Sequence, residues 1–116
     1  MTVKECYDAF GGDYSDVLGR LAKDERILKY LKMFVAGNDY QLIAASLEAE
    51  NYEEAFRNVH NLKGVSLNLG LTPLKETSSV LCEALRHGKP TVDVAPMLAA
   101  VKTAYDSVVS AIAKID

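Results

Sequence analysis

The sequence predicts an all-α fold: an antiparallel four-helix bundle with additional short N-terminal helices. Apolar residues recur at spacings of three and four along most of the chain, which is the period of an amphipathic helix. Three prolines and seven glycines punctuate the sequence, nearly all of them between these periodic segments. No two segments alternate as a strand pair would. Because each apolar stripe must be covered by neighbouring helices and the turns are short, the helices should pack antiparallel.

The N-terminal part of the chain should hold four of the helices. Two short helices are predicted at residues 3–10 and 14–21, separated by two consecutive glycines. Asp24 and Asn38 are residue types that cap helix N-termini, so each is predicted to open a further helix. Gly37 should mark the break between those two helices.

The next predicted helix covers residues 52–69 and contains the most informative part of the sequence. Asn51 is a suitable N-cap, and Glu54 stands at the reciprocal position of a capping box. One stripe of this helix should face the core, and it consists of Ala55, Val59, Leu62, Ser66 and Leu69.

The helix that follows should begin with Thr72 as its N-cap and Pro73 at its first position. Gly88, with a proline shortly after it, is predicted to end this helix. Arg86 and His87 should then occupy the last turn, where positive charge complements the carbonyl end of the helix dipole. The inward stripe of this helix is Leu74, Ser78, Leu81 and Leu85.

The terminal helix is predicted from about Asp93 to the end of the chain. Asp93 would act as the N-cap, which places Pro96 in the first turn, where its missing N–H costs nothing. The whole chain, residues 1–116, is predicted as one helical domain, with the bundle core covering about 24–116.

Composition excludes several functional classes. The chain has 13 Lys plus Arg against 16 Asp plus Glu and a formal net charge of −3, which argues against nucleic acid or an anionic membrane as partner. No basic leader is present, and no stretch approaches the ~20 apolar residues of a membrane span. We therefore expect a soluble, cytoplasmic monomer. Cys6 and Cys82 have no partner at ligand spacing, so neither a disulfide framework nor a zinc site is expected. We also expect no bound cofactor and no metal on this chain.

His60 is the residue that packing alone does not explain. It lies about 100° around the helix from Val59, at or beyond the edge of the buried stripe, so its ring should be exposed. Lys63 and Gly64 follow one turn later and should flank the imidazole. A mid-helix glycine costs ~1 kcal/mol relative to alanine, and Gly64 would leave space above the ring. Lys63 would bring an ammonium group close to an anion in that space, and a phosphoryl group fits this arrangement.

The local charge favours the same interpretation. Between Arg57 and Lys75 there are three basic residues and no acidic ones, a local charge of +3 against −6 for the rest of the chain. Histidine is the residue type that can serve as a nucleophile near neutral pH. The sequence contains no catalytic triad, no phosphate-binding loop and no metal cluster, so the remaining catalytic groups should belong to a partner.

The run VHNLKGVSLNLG from Val59, with Leu74 beyond it, closely resembles the signature of histidine-containing phosphotransfer (HPt) domains. That signature begins with a phosphorylatable His. Counted from this His, Leu stands two residues later, Lys three, Gly four, a small residue six and a second Gly ten residues later. All of these positions match here. The resemblance extends across nearly the whole chain, from the segment around Gly12 through Arg57 to the terminal helix.

The resemblance implies a four-helix bundle that takes a phosphoryl group on a histidine Nε2 from the aspartate of one receiver domain and passes it to another. Carried over by position, His60 is the phosphoacceptor, Lys63 stabilises the phosphoryl group and Gly64 provides clearance. The implied partners are response-regulator receiver domains and a hybrid sensor kinase. Mg²⁺ would be held by the receiver and not by this chain, which would have neither a kinase nor an ATP site.

The docking surface should involve residues on the same helix near His60. The candidates for contact with a receiver are Phe56, Arg57, Asn61, Leu67 and Asn68. For Phe56 and Leu67 a place in the core is an equally good interpretation. His87 is interpreted as a helix-end residue. The competing hypothesis is a helical adaptor that docks receivers or other partners and performs no chemistry.

Overall fold

The computed structural model describes residues 1–116 and contains seven helices and no strand. The all-α prediction is therefore confirmed. The helices are α1 (Val3–Phe10), α2 (Tyr14–Leu21), α3 (Asp24–Ala36), α4 (Asp39–Glu48), α5 (Tyr52–Asn68), α6 (Thr72–Leu85) and α7 (Ala95–Ile112).

Helices α4 to α7 form the four-helix bundle. The central helix α5 packs between α4 and α6, and α7 packs on α6 and closes the bundle against α4. The connections from α4 to α5 and from α5 to α6 are three residues each, and such short connections make neighbouring helices antiparallel. The molecule measures 41 × 23 × 19 Å. No helix has the length and apolar character needed to cross a membrane.

The buried stripe of α5 is the one that the sequence predicts. Ala55, Val59, Leu62 and Ser66 are fully buried, and Leu69 follows them at the end of the helix with 7% of its surface exposed. The predicted stripe of α6 is also buried, and Cys82 joins it. Because these stripes fix the rotation of α5 about its own axis, they also determine which of its residues face solvent.

The two N-terminal helices have the predicted bounds, and they close the C-terminal end of α5. Tyr7 is fully buried, and its hydroxyl donates a 2.6 Å hydrogen bond to the Leu69 carbonyl. The Asp13 N–H donates to the Gly70 carbonyl at 2.9 Å. At Gly12 an added Cβ would lie 2.8 Å from the Gly70 carbonyl oxygen and still closer to two aromatic rings, so only glycine allows this approach. The core therefore extends into α1.

Two predicted N-caps are wrong by one residue. Helix α6 begins at Thr72 itself, and the N-cap is Leu71, whose fully buried side chain sets the start by packing. Helix α3 has Lys23 as N-cap, and Asp24 is its first helical residue. The Asp24 carboxylate accepts a hydrogen bond from the Tyr14 hydroxyl at 2.5 Å instead of capping the helix.

The terminal helix is shorter than predicted at both ends, running from Ala95 to Ile112. Val94 is its N-cap, so Asp93 is not the N-cap. Asp93 is the residue before this N-cap, and its carboxylate nevertheless accepts a hydrogen bond from the Ala95 N–H at 3.0 Å. Pro96 lies in the first turn, as predicted.

Of the two hydrogen bonds in the capping box predicted for α5, only the one to the Asn51 side chain forms. The Asn51 side chain accepts the Glu54 N–H at 3.2 Å, but no reciprocal bond from the Glu54 side chain forms. The Glu54 carboxylate is paired with Arg57 instead. Asn38 occupies the N-cap of α4, as predicted, without a side-chain capping bond.

The predicted end of α6 needs correction. Helix α6 ends at Leu85 with Arg86 as its C-cap, so Arg86 and His87 lie beyond the last turn and not within it. Gly88 then adopts a left-handed φ of 91° and donates its N–H to the Leu85 carbonyl. The chain thus leaves the helix three residues before the predicted glycine, and the Arg86 side chain reaches across to Phe56 of α5.

Candidate functional site

The solvent-facing edge of α5 brings together the residues that the sequence singles out. Burial of the stripe containing Val59 and Leu62 turns the opposite edge outward, and His60 is exposed there, as predicted. Lys63 and Gly64 lie one turn further along the same edge and are partly exposed. Their proximity follows from the helix alone, since side chains three and four residues apart are neighbours.

The imidazole of His60 rests against one aromatic ring and is otherwise open. The centroids of the His60 and Phe56 rings are 5.8 Å apart, and the ring planes are tilted by 43°. The α5 side chains that make hydrogen bonds are Asn58, Ser66 and residues of the first two turns; His60 is not among them. Both ring nitrogens are therefore available, one to act as a nucleophile and the other to carry the proton.

Two cations lie on the side of His60 that faces α6. Arg86 places its guanidinium carbon 6.0 Å from the centroid of the Phe56 ring, the same ring that contacts His60. Burial raises the pKa of the Cys82 thiol, and the charges of Lys63 and Arg86 both act in the opposite direction. Both cations are thus near Cys82, but Glu83 is also near it and pairs with Arg86, so the uncompensated charge at this margin is that of Lys63.

Lys63 differs from the neighbouring arginines because its charge is not compensated. Arg57 is paired with Glu54 and lies 3.6 Å from Glu53, and the resulting hydrogen bond raises the pKa of the Arg57 guanidinium. Arg86 is paired with Glu83 at 2.9 Å. No carboxylate lies within ion-pair distance of Lys63, so its half-buried stem holds an ammonium group that can pair with an incoming anion.

Gly64 borders open space. A Cβ built at this position would meet no atom within 4 Å outside its own helix backbone. The backbone here is helical, so glycine is not required by conformation. Neither packing nor φ explains a glycine that costs helix stability at this point. The space next to Gly64 on this edge of α5 is therefore open.

The other predicted contact residues are spread around the same helix. Leu67 is 55% exposed and so is not part of the core. Phe56 is half-buried and packs against the core, while one face of its ring remains beside His60. Arg57, Asn61 and Asn68 are exposed. All of the predicted site residues are thus on one helix, and Asn61 and Asn68 lie on the side that faces α3.

The structure adds a groove that the sequence analysis missed. This α3–α5 groove has a volume of about 560 Å³ and lies between α3 and α5, beside Asn61. Apolar side chains supply much of its lining. The lining includes Tyr30, Met33 and Phe34 of α3, Asp39 at the start of α4, and Val65 and Asn68 of α5.

Arg20 of α2 lies at one end of this groove. Its guanidinium donates hydrogen bonds to the carbonyls of Leu67 and Asn68 at 3.1 and 2.7 Å, and it pairs with Asp16 at 2.6 Å. Arg20 therefore adds donors at the C-terminal end of α5, where a helix leaves its last carbonyls short of partners; the Leu67 carbonyl also accepts the Gly70 N–H at 3.4 Å. No local sequence pattern indicates this contact, because 47 and 48 positions separate the partners.

No group of three or more His, Cys, Asp or Glu side chains in the structure is placed to hold a metal ion. Cys6 and Cys82 are both free and buried. The chemistry that the chain itself offers is that of an exposed imidazole next to an unpaired cation.

Comparison with known proteins gives a family for this chain. The family model described as "Hpt domain" matches residues 29–111. Neither a curated protein nor a solved structure matches the chain. The matched region covers α4, α5 and α6 completely, the last eight residues of α3, and all of α7 except its final residue. The chain therefore belongs to the Hpt family, the histidine phosphotransfer domains of two-component phosphorelays.

Proposed function

We propose that this protein is a phosphorelay intermediate that accepts a phosphoryl group on His60 from a receiver-domain aspartate and transfers it to the aspartate of another receiver. The observation that carries the proposal is the exposed His60 ring with both nitrogens free of hydrogen bonds, next to the unpaired Lys63 and the open space at Gly64. Membership of the Hpt family supports it.

The transfer is a substitution at phosphorus. The lone pair of Nε2 of His60 attacks the phosphorus of the aspartyl phosphate, the bond from phosphorus to the carboxylate oxygen breaks, and the aspartate leaves as a carboxylate. The proton on Nδ1 is lost to solvent, which leaves a neutral phosphoimidazole ring. Lys63 stabilises the charge on the phosphoryl oxygens during the step. The reverse substitution, with a second receiver's aspartate as nucleophile, empties the site.

The partner should supply the rest of the machinery. Phosphoryl transfer depends on positioning and charge stabilisation, for which Mg²⁺ is the usual cation, and we assign that ion to the receiver domain. The chain then acts as a phosphocarrier and not as an enzyme with its own ATP site. We place the relay in the cytoplasm, with a monomeric carrier serving receiver domains and a hybrid sensor kinase.

The test is to incubate the protein with a phosphorylated receiver and follow phosphate on the chain. We expect acid-labile, base-stable labelling of the wild type and its loss in His60→Gln. The matched control is His87→Gln, because His87 is the other histidine and is also exposed. Equal labelling of wild type and His60→Gln would refute the assignment.

The alternative is an adaptor that docks receivers without chemistry. The exposed Leu67 and the α3–α5 groove are compatible with docking alone. If the wild type binds receivers and never becomes labelled, the adaptor is the correct interpretation. Labelling that requires His60 decides for the relay.

A further inference from the structure

The side chain of His60 is exposed and has no hydrogen bond to fix its orientation. On a helix the χ1 angle of such a side chain has two common wells, and the χ2 angle of histidine is roughly two-fold, so about four orientations compete. Only an orientation that turns Nε2 toward the donor can react. An imidazole that is held in this orientation before the donor arrives should therefore react faster than one that must first find it.

Phe56 provides the one contact that can hold this imidazole. Helix side chains lean toward the N-terminus, so the His60 ring lies over the turn that contains Phe56, four residues earlier. The two ring centroids are 5.8 Å apart and the planes are tilted by 43°, which is within the range that aromatic pairs prefer. The contact restricts how the imidazole can rotate and leaves its other side open to a partner.

The Phe56 ring is itself held by two helices. It is half-buried and packs against the core. From α6, the guanidinium carbon of Arg86 lies 6.0 Å from the centroid of the ring, the distance of a cation–π contact. The ion pair with Glu83 at 2.9 Å orients that guanidinium. The support beneath His60 therefore has fewer orientations available to it than an exposed side chain of α5 would have.

We propose that Phe56 is a positioning residue for phosphotransfer: its ring, held by the core and by Arg86, keeps the imidazole of His60 in the orientation that presents Nε2 to the donor. This inference rests on the proposed phosphotransfer function. It gives Phe56 a part in the reaction that differs from both the docking contact and the core contact expected from the sequence. Confining the imidazole from about four orientations to one can raise the transfer rate by at most about fourfold.

The test compares two phosphodonors. Phosphoramidate is a small donor that needs no docking, whereas a phosphorylated receiver must dock, and its transfer is measured over a range of receiver concentrations. Phe56→Leu removes the ring and keeps an apolar side chain. We expect it to lower the rate constant with phosphoramidate and the rate at saturating receiver by the same factor, about threefold, with the KM for the receiver unchanged. Phe56→Tyr keeps the ring and should restore most of both rates.

Phe10→Leu is the matched control for the loss of a ring from the packed interior. Phe10 is 6% exposed, contacts the Tyr7 ring at 4.9 Å between centroids and belongs to α1, away from the α5 edge. The control should lower the unfolding temperature and leave both transfer rates unchanged. It shows that a slower Phe56→Leu is not the result of a less stable fold.

NMR spectroscopy follows the contact directly. Because the rings of Phe56 and His60 are close, the ring protons of His60 should carry a ring-current shift. Phe56→Leu should remove this shift and Phe56→Tyr should retain it. His87, the other histidine of the chain, is the internal reference, and its signals should stay in place in both variants.

The outcomes separate the positioning role from the proposed function. A higher receiver KM for Phe56→Leu with normal phosphoramidate labelling would make Phe56 a docking residue and overturn the proposal. Normal rates and a normal KM with a lower unfolding temperature would leave it as a core residue only, which overturns the proposal too. A Phe56→Tyr variant as slow as Phe56→Leu would show that the ring is not the cause. In each case the relay stands, whereas a wild type that no phosphorylated receiver labels would overturn both the relay and the positioning role.

Discussion

Substitution of Gly64 by leucine should make the protein more stable and slower in phosphotransfer. The added Cβ meets no atom within 4 Å, and the position is helical, so the change gains helix propensity without a clash. The gain is ~0.8 kcal/mol for leucine over glycine. For a domain of this size that corresponds to an increase in the unfolding midpoint of roughly 4 °C.

The same side chain should obstruct the approach to His60. Side chains four residues apart on a helix have Cβ atoms about 5–6 Å from each other, and the reacting atoms must come within about 3 Å. A leucine beside the imidazole therefore displaces the docked receiver, and a displacement of about 1 Å can cost on the order of 100-fold in rate. We expect Gly64→Leu to lower the transfer rate by at least tenfold and Gly64→Ala to lower it much less.

The assay pairs a thermal unfolding curve with transfer from a phosphorylated receiver. Gly19→Leu is the matched control, because Gly19 is also an exposed helical glycine with nothing within 4 Å of an added Cβ. It should gain similar stability and transfer at the wild-type rate. A Gly64→Leu variant that transfers normally, or that unfolds at a lower temperature, would refute the clearance argument.

Three further predictions concern single side chains. Lys63→Ala should slow transfer more than it weakens receiver binding measured by calorimetry; equal losses would make Lys63 a docking residue. Ser78→Ala should stabilise the fold by about 1 kcal/mol in urea unfolding, because the buried Ser78 hydroxyl has no partner, whereas Ser46→Ala should destabilise it by removing a hydroxyl bonded at 2.7 Å. Burial raises the pKa of Cys6 to about 11 and also raises that of Cys82, so both thiols should react with N-ethylmaleimide at neutral pH only after unfolding; labelling of the native protein would contradict their burial.

The part of the site that lies on one helix was predictable from the sequence. The spacing of Val59 and Leu62 fixes the inward face of α5, and the outward position of His60 follows from the helical period. Lys63 and Gly64 are placed beside His60 by the same period. The N-cap Asn51 was also predictable, because capping is a contact between residues three apart.

Contacts between distant segments were not predictable in this way. The sequence predicts Arg86 as a helix-end charge, whereas the structure also places its guanidinium over the Phe56 ring of α5. The start of α6 was misplaced because burial of Leu71, and not a polar cap, determines it. The exposed pair Tyr30 and Met33, three apart on α3, is a signal that could have indicated the groove.

The sequence by itself determined the fold class, the helices and the exposed edge of α5 that carries His60, because these depend on periodicity and on contacts within a few residues. The tertiary structure decided what surrounds that edge: the arginine over Phe56 and the groove with Asp39. Both require that separate helices be brought together. The geometry of such contacts depends on how the whole set of buried stripes packs, which no single segment of the sequence specifies.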